Sequence, residues 1–146
     1  MARDVPQGAT RDEILDCVAS AHVVFELCQS RLADPADVPR HVALADSISN
    51  AGIVVGPQIS NWRTREHRAV PGRLLVDSKV HKEGQSADPL RALEVLPGAL
   101  AAHGKTLAAG QIVITGSLIG MNWLKGRHAL AGQIDGMGEV AIGLEA

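Results

Sequence analysis

Glu26 and Arg31 are the residues of this chain best placed to do chemistry, in the stretch Phe25-Glu26-Leu27-Cys28-Gln29-Ser30-Arg31. A carboxylate on an apolar segment either ligates a cation or pairs with a guanidinium. Hard divalent cations take several oxygen ligands, so Glu26 needs partners to hold one. The acids before it are Asp4, Asp12, Glu13 and Asp16. Asp12 and Glu13 are adjacent and read as first-turn helix charges, favourable at the positive end of the helix dipole. The alternative reading of Glu26 is a semi-buried carboxylate paired with Arg31.

The other reactive types show no ligand pattern. Cys17 and Cys28 lack CxxC spacing and read as small, reduced core residues. His22, His41, His67, His81, His103 and His128 have no close-paired spacing and read as surface or packed residues. Trp62 and Trp123 read as core or interface anchors. The run Arg63, Arg65, His67, Arg68 reads as a solvated loop, with an anion or subunit contact as the alternative.

The elements that must position these residues follow from local signals. Thr10 stands before Glu13 in a capping box, which predicts a helix with Ile14, Cys17, Val18 and Ala21 on one face. Residues 22–28 (HVVFELC) are β-branched and apolar, which predicts a buried strand carrying Glu26. Asp34-Pro35 and Pro39 predict a loop over 32–40, followed by a short helix from His41 to Asn50 that ends near Gly52. Further strands are predicted at Ile53–Val55, ending at Gly56-Pro57, and in a hairpin of Arg73–Val76 and Lys79–Lys82 turning at Asp77-Ser78. Asp88-Pro89 predicts a helix start, with an end at Gly104 and a kink or early break at Pro97. Ile112–Thr115 and Glu139–Leu144 read as strands, with Gly132, Gly136 and Gly138 punctuating the approach to the last.

The chain has 146 residues, 46% of them hydrophobic, which is enough for one domain spanning 1–146 with a substantial core. Strands separated by turns, with helices only here and there, predict an α+β, mostly-β fold rather than regular βαβ units. A net charge of −2 with mixed signs gives no basic stripe for nucleic acid. The N-terminus is polar and no stretch is long enough to span a bilayer, so a cytoplasmic protein without a membrane partner is expected. No glycine-rich phosphate loop is found.

Read in order, the chain contains F-E-L-C-Q-S-R, A-D-S-I-S-N-A-G-I-V-V-G, D-P-L-R-A-L, L-A-A-G-Q-I-V-I-T-G-S and G-M-G-E-V-A-I. The series resembles the fumarylacetoacetate hydrolase superfamily, in its 2-keto-4-pentenoate hydratase and 4-oxalocrotonate decarboxylase branch. The corresponding segments there look like I-E-x-x-D-S-R, A-D-N-A-S-S-A-G-x-V-x-G, G-x-P-x-x-A-L, L-x-x-G-x-x-V-x-T-G-S and G-x-G-x-V-x-V. The likeness runs over nearly the whole chain and is to the C-terminal part of the family.

The resemblance implies a compact, largely β fold and a divalent-metal-dependent lyase, using Mg2+ or Mn2+, that hydrates or decarboxylates short 2-oxo-enoic acids of aromatic catabolism. Carboxylate oxygens suit such a cation, which polarises a 2-oxo group. Carried over by position, Glu26 is a metal ligand, and Arg31, which braces its segment, is a substrate-binding candidate with Ser49 and Ser117. Ser49 falls at the substrate pocket, and Ser117 offers a hydroxyl or an amide to a bound carboxylate. Catalytic residues are left unassigned. The chain departs from the pattern at Gln29, Ser47 and Asp88, where the family has Asp, Asn and Gly. The family's paired Glu-x-Glu ligands and its Lys-containing glycine segment would fall before Met1. Two function classes therefore stand: a lyase completed by ligands from elsewhere, or a non-catalytic accessory chain that works by association. Uncovered strand edges favour a homo-oligomer, or a hetero-oligomer with a related hydratase or decarboxylase subunit.

Overall fold

The computed structural model describes residues 1–32, 34 and 37–145. Its elements in chain order are α1 (Arg11–Asp16), β1 (His22–Cys28), α2 (Arg40–Ala45), β2 (Asn50–Gln58), β3 (Pro71–Val76), β4 (Lys79–Gln85), α3 (Pro89–Ala101), β5 (His128–Ile134) and β6 (Gly138–Leu144). Short 3₁₀ turns cover Ser47–Ser49 and Trp62–Thr64. Among the described residues the ladders are antiparallel and form two sheets, β1-β2 and β4-β3-β5-β6. The fold is α+β and mostly β. Among the described residues no helix is long and apolar enough to cross a membrane.

The Thr10 capping box forms as predicted. The Thr10 backbone N–H donates to Glu13 Oε2 at 2.8 Å, and the Glu13 N–H donates back to Thr10 Oγ1. Two orphan amides are satisfied at once, so a six-residue helix is held. Cys17, fully buried as expected, joins Val5, Ile14, Leu93 and Leu107 in one apolar cluster. A second cluster, of Val23, Ile59, Trp62 and Val140, lies between the two sheets. The sheets meet closely there. A Cβ on Gly56 in β2 would come 3.0 Å from Val140 Cβ and 3.1 Å from Glu139 O of β6.

Several predicted elements are corrected. The helix expected over His41–Asn50 stops at Ala45, because Ser47, Ile48 and Ser49 all have positive φ, which no α-helix accepts. The strand expected at Ile53–Val55 is longer and takes in Pro57. Pro97 does not break α3, which continues to Ala101. Leu93, Leu96 and Leu100 pack on the first core cluster, and that burial outweighs the ~3 kcal/mol cost of an interior proline. Ile112–Thr115 joins no ladder, since among the described residues no strand lies beside it. Pro35 lies outside the described residues.

β5 was not read from the sequence. His128–Ile134 (HALAGQI) carries two alanines and Gly132 in place of β-branched residues, a weak strand signal. The glycine has a packing role: a Cβ there would come 2.8 Å from Phe25 Cε1. The ring of β1 therefore lies directly on the backbone of β5.

The arginines of the run are exposed, as a solvated loop implies, but two of them are also anchored by hydrogen bonds and His67 is buried. Arg63 donates to Asp16 Oδ1 at 2.9 Å and to the carbonyls of Leu15 and Val18, and it lies 5.0 Å from the Trp62 ring centroid. Arg65 donates to the carbonyls of Ser60 and Gly136, and His67 is buried against the Trp62 carbonyl. The run ties the end of α1 to the second core cluster.

Candidate functional site

Glu26 lies on β1, where its pleat face alternates with Phe25 and Leu27. Phe25 packs inward on Gly132, so Glu26 is turned outward and is exposed. Its Oε1 accepts from Asn50 Nδ2 at 2.7 Å. Asn50 opens β2 and is the register partner of Cys28, which brings its amide beside the Glu26 carboxylate.

Arg31 is not the partner of Glu26, contrary to the paired reading. Its Nε donates to Asp46 Oδ1 at 2.6 Å, and its remaining nitrogens donate to the carbonyls of Asp46 and Asn50. The guanidinium fork fastens the left-handed turn Ser47–Ser49 between two carbonyls, a geometry that suits Arg and not Lys. Ser49 contributes backbone there: its carbonyl accepts from the Gln29 N–H at 2.8 Å.

A cavity of about 880 Å³ runs along β1 and is walled opposite by residues 114–124. Glu26 and Ser117 both line it; Arg31 and Ser49 do not, lying instead at the β1–β2 end. Its charged lining residues are Glu26 and Arg73, the latter donating from Nε to Gln133 Oε1 at 2.7 Å. Trp123, 69% exposed, stands at the same wall and is no core anchor. Arg73, Gln133 and Asn50 were missed from sequence. Asn50 sits inside the A-D-S-I-S-N-A-G motif, which was its available signal.

Two glycines fix the wall that carries Ser117. Gly72 and Gly84 are register partners on β3 and β4. A Cβ on Gly84 would collide with Leu118 O, and one on Gly72 would come 2.8 Å from Leu118 Cδ2. The paired glycines open a slot in the sheet for Leu118, and Ser117 is thereby held over the cavity. Gly116 before it has φ of +132°, open to glycine and strained for other residues.

Burial, and then the nearby charge of Glu26, push the Cys28 thiol above its ordinary value. The raised value favours the protonated thiol at neutral pH, which is the weaker nucleophile. Among the described residues no group of three or more His, Cys, Asp or Glu converges in a way that could hold a metal ion. One carboxylate already engaged by an amide does not make a site for a hard cation, so these residues alone do not fit one.

No protein-family model matches the sequence. A 2-keto-4-pentenoate hydratase of Burkholderia vietnamiensis is 30% identical over 132 residues, covering 88% of this chain and 50% of the relative. This is in keeping with the resemblance to the hydratase and decarboxylase branch read from its motifs. Two solved structures of a 4-oxalocrotonate decarboxylase from Pseudomonas putida G7 share its fold. The one complexed with magnesium and adipate superposes with a TM-score of 0.81 at 17% identity. The one with calcium and acetate gives 0.78 at 19%. Each match covers 96% of this chain and 54% of the decarboxylase. The chain thus spans about half the length of the relatives it matches.

Proposed function

We propose that residues 1–146 form the acid-binding side of a hydratase or decarboxylase site for short 2-oxo-enoic acids. On this reading they correspond to the C-terminal part of the superfamily's fold. Arg73 takes the substrate carboxylate, and Ser117 offers its hydroxyl or amide to the same group. Glu26 is one ligand of a divalent cation, Mg2+ or Mn2+, whose other protein ligands come from outside these residues. Arg31 and Ser49 act by position, through the turn that brings Asn50 to Glu26. The observation that carries the proposal is the cavity itself: one carboxylate and one guanidinium in a mostly apolar wall. The printed ligands of the decarboxylase structures, a hard cation with a carboxylate, are in keeping with it.

Binding of 2-oxopentanoate, read from Trp123 fluorescence with Trp62→Phe as background, tests the acid site. Saturable millimolar binding is expected, weakened at least about tenfold in Arg73→Ala. No saturation in the parent protein would overturn the assignment. Paramagnetic Mn2+ titration tests Glu26. Weak binding lost in Glu26→Gln is expected, and tight stoichiometric binding by residues 1–146 alone would contradict a shared ligand set.

The Glu26–Asn50 hydrogen bond favours a second reading, an accessory chain that works by association without turnover. Retained self-association with neither acid nor Mn2+ binding would select it.

A further inference from the structure

Ser20 and His22 stand two residues apart where the chain enters β1, and their side chains meet. His22 Nε2 lies 2.8 Å from Ser20 Oγ. The other ring nitrogen, Nδ1, lies 2.8 Å from the carbonyl oxygen of Gly56. A carbonyl only accepts, so this contact places the proton of the neutral ring on Nδ1. Nε2 then carries the lone pair, and the Ser20 hydroxyl donates to it. A general base for a serine needs that tautomer, with one nitrogen fixed as donor by a third group and the other open to the hydroxyl proton.

The chain path explains why the three groups converge. Residues two apart in an extended segment project to the same side. Between the pairs Val24–Val55 and His22–Gln58, β2 carries one residue more than β1, and Gly56 sits in that bulge with its carbonyl on the imidazole. Ser20 and His22 are half-buried and line a second cavity of about 550 Å³, whereas the cavity of Glu26 starts along this strand at Val23. Val24, Ile59, Trp62 and Leu90 give the second cavity an apolar wall, which suits a hydrocarbon chain. Ala21 follows the serine, and its N–H has no acceptor among the described residues, so it is open to a developing oxyanion. Ser86 lines the same cavity, but its hydroxyl donates to the His67 carbonyl and accepts from the Val70 N–H. Its proton is held by a carbonyl and not by a base.

We propose that Ser20 is a nucleophile activated by His22, in a site for esters of short apolar acids. Ser20 Oγ bonds to the acyl carbon while its proton passes to His22 Nε2. The bond from that carbon to the alcohol oxygen breaks, and the alcohol leaves with the proton. Water then attacks the acyl-serine and gives a proton to Nε2, which returns it to Ser20 Oγ as the acid departs. The sum is ester plus water to acid plus alcohol. The neutral Gly56 carbonyl orients the ring but sets no charge beside the imidazolium, so turnover is slow next to that of a triad with a carboxylate. The inference uses neither Glu26 nor Arg73 and stands apart from the acid-site and cation assignments.

A fluorophosphonate, which phosphonylates activated serines and releases fluoride, tests the pair, with the labelled residue located by peptide mass spectrometry. Labelling at Ser20 is expected, with Ser86 of the same cavity unmodified. Hydrolysis of para-nitrophenyl butyrate should saturate with substrate and fall at least about tenfold in Ser20→Ala and in His22→Gln. His22→Gln retains a side-chain N–H for the Gly56 carbonyl but has no base, so it separates holding the bulge from taking the proton. The labelling rate of Ser20 should fall in it by the same factor. Should either variant unfold, the position of the label in the parent protein decides alone. Absence of label from Ser20, or equal labelling of Ser86, would overturn the proposal. So would ester hydrolysis undiminished in a folded Ser20→Ala.

Discussion

Arg31 is bound to Asp46 across 2.6 Å, and Glu26 is left to Asn50. The guanidinium also takes the carbonyls of Asp46 and Asn50, bracketing three successive residues of positive φ. Non-glycine residues enter that region at a cost, so something must hold them. Arg31→Ala removes all of these bonds at once. Because the side chain is 54% exposed, solvent screening limits the loss to about 1–2 kcal/mol. Urea denaturation of Arg31→Ala, and of Arg31→Lys, which lacks the fork, measures it. A change within about 0.3 kcal/mol for both would mean that the turn holds itself.

The site wall gives a second prediction. Gly84→Ala sets a methyl group against the Leu118 carbonyl, a backbone atom that cannot rotate away. The cost should reach about 1–3 kcal/mol, and the 117–118 segment should shift off β4. Trp123 fluorescence, which reports the same wall, should change in Gly84→Ala and not in Gly98→Ala, where the added methyl meets nothing within 4 Å. Equal behaviour of the two variants would refute the slot.

Much of the site's frame was legible because local signals govern it. The Thr10–Glu13 capping box and the apolar run His22–Cys28 stand where the sequence placed them. The hairpin at Asp77-Ser78 does too, with both residues at positive φ as a tight two-residue turn demands. Non-local effects hid the rest. The small residues of β5 make sense only once Phe25 lies on Gly132, and Pro97 is tolerated only because Leu93 and Leu100 pack on residues near the N-terminus. The parting of Glu26 from Arg31 depends on three left-handed residues whose types, Ser, Ile and Ser, do not announce that conformation. The family resemblance assigned four residues to one site; chain path puts two of them, Glu26 and Ser117, on one cavity.

The Asp77–His128 contact gives a pH dependence with a definite sign. His128 Nδ1 lies 2.8 Å from Asp77 Oδ2, and the Ala129 N–H donates to Asp77 Oδ1. The Ala129 amide first, and then the His128 ring, hold the Asp77 carboxyl below its ordinary 3.8. The Asp77 carboxylate holds the imidazole above its ordinary 6.5. The His128 contribution is thus full below 6.5 and fades as pH rises through its raised value. The Asp77 contribution is full above 3.8 and fades as pH falls through its lowered one. The melting-temperature gap between the parent protein and His128→Gln should be widest between those two ordinary values and shrink above neutrality. NMR titration should place His128 above 6.5, with a return toward it in Asp77→Asn, which still accepts from Ala129. A His128 titration at or below 6.5 in the parent protein would remove the basis for this.

Phe25 against Gly132 offers a test by rescue. Gly132→Ala would put its methyl 2.8 Å from Cε1 and 2.9 Å from Cζ of the ring, too close for either to stay. The ring cannot shorten, and Val140 Cγ1 crowds the same space at 3.4 Å. A loss of about 1–3 kcal/mol is expected from overpacking. Phe25→Leu alone leaves unfilled space above Gly132 and should also destabilise, by about 1–2 kcal/mol. In the double variant the new methyl occupies part of that space, so the two losses should fall short of additivity by at least about 0.5 kcal/mol. The cycle is read from chemical denaturation of all four proteins. Strict additivity would show that the ring does not rest on β5, and that β1, with Glu26 on its outer face, is positioned by something other than this contact.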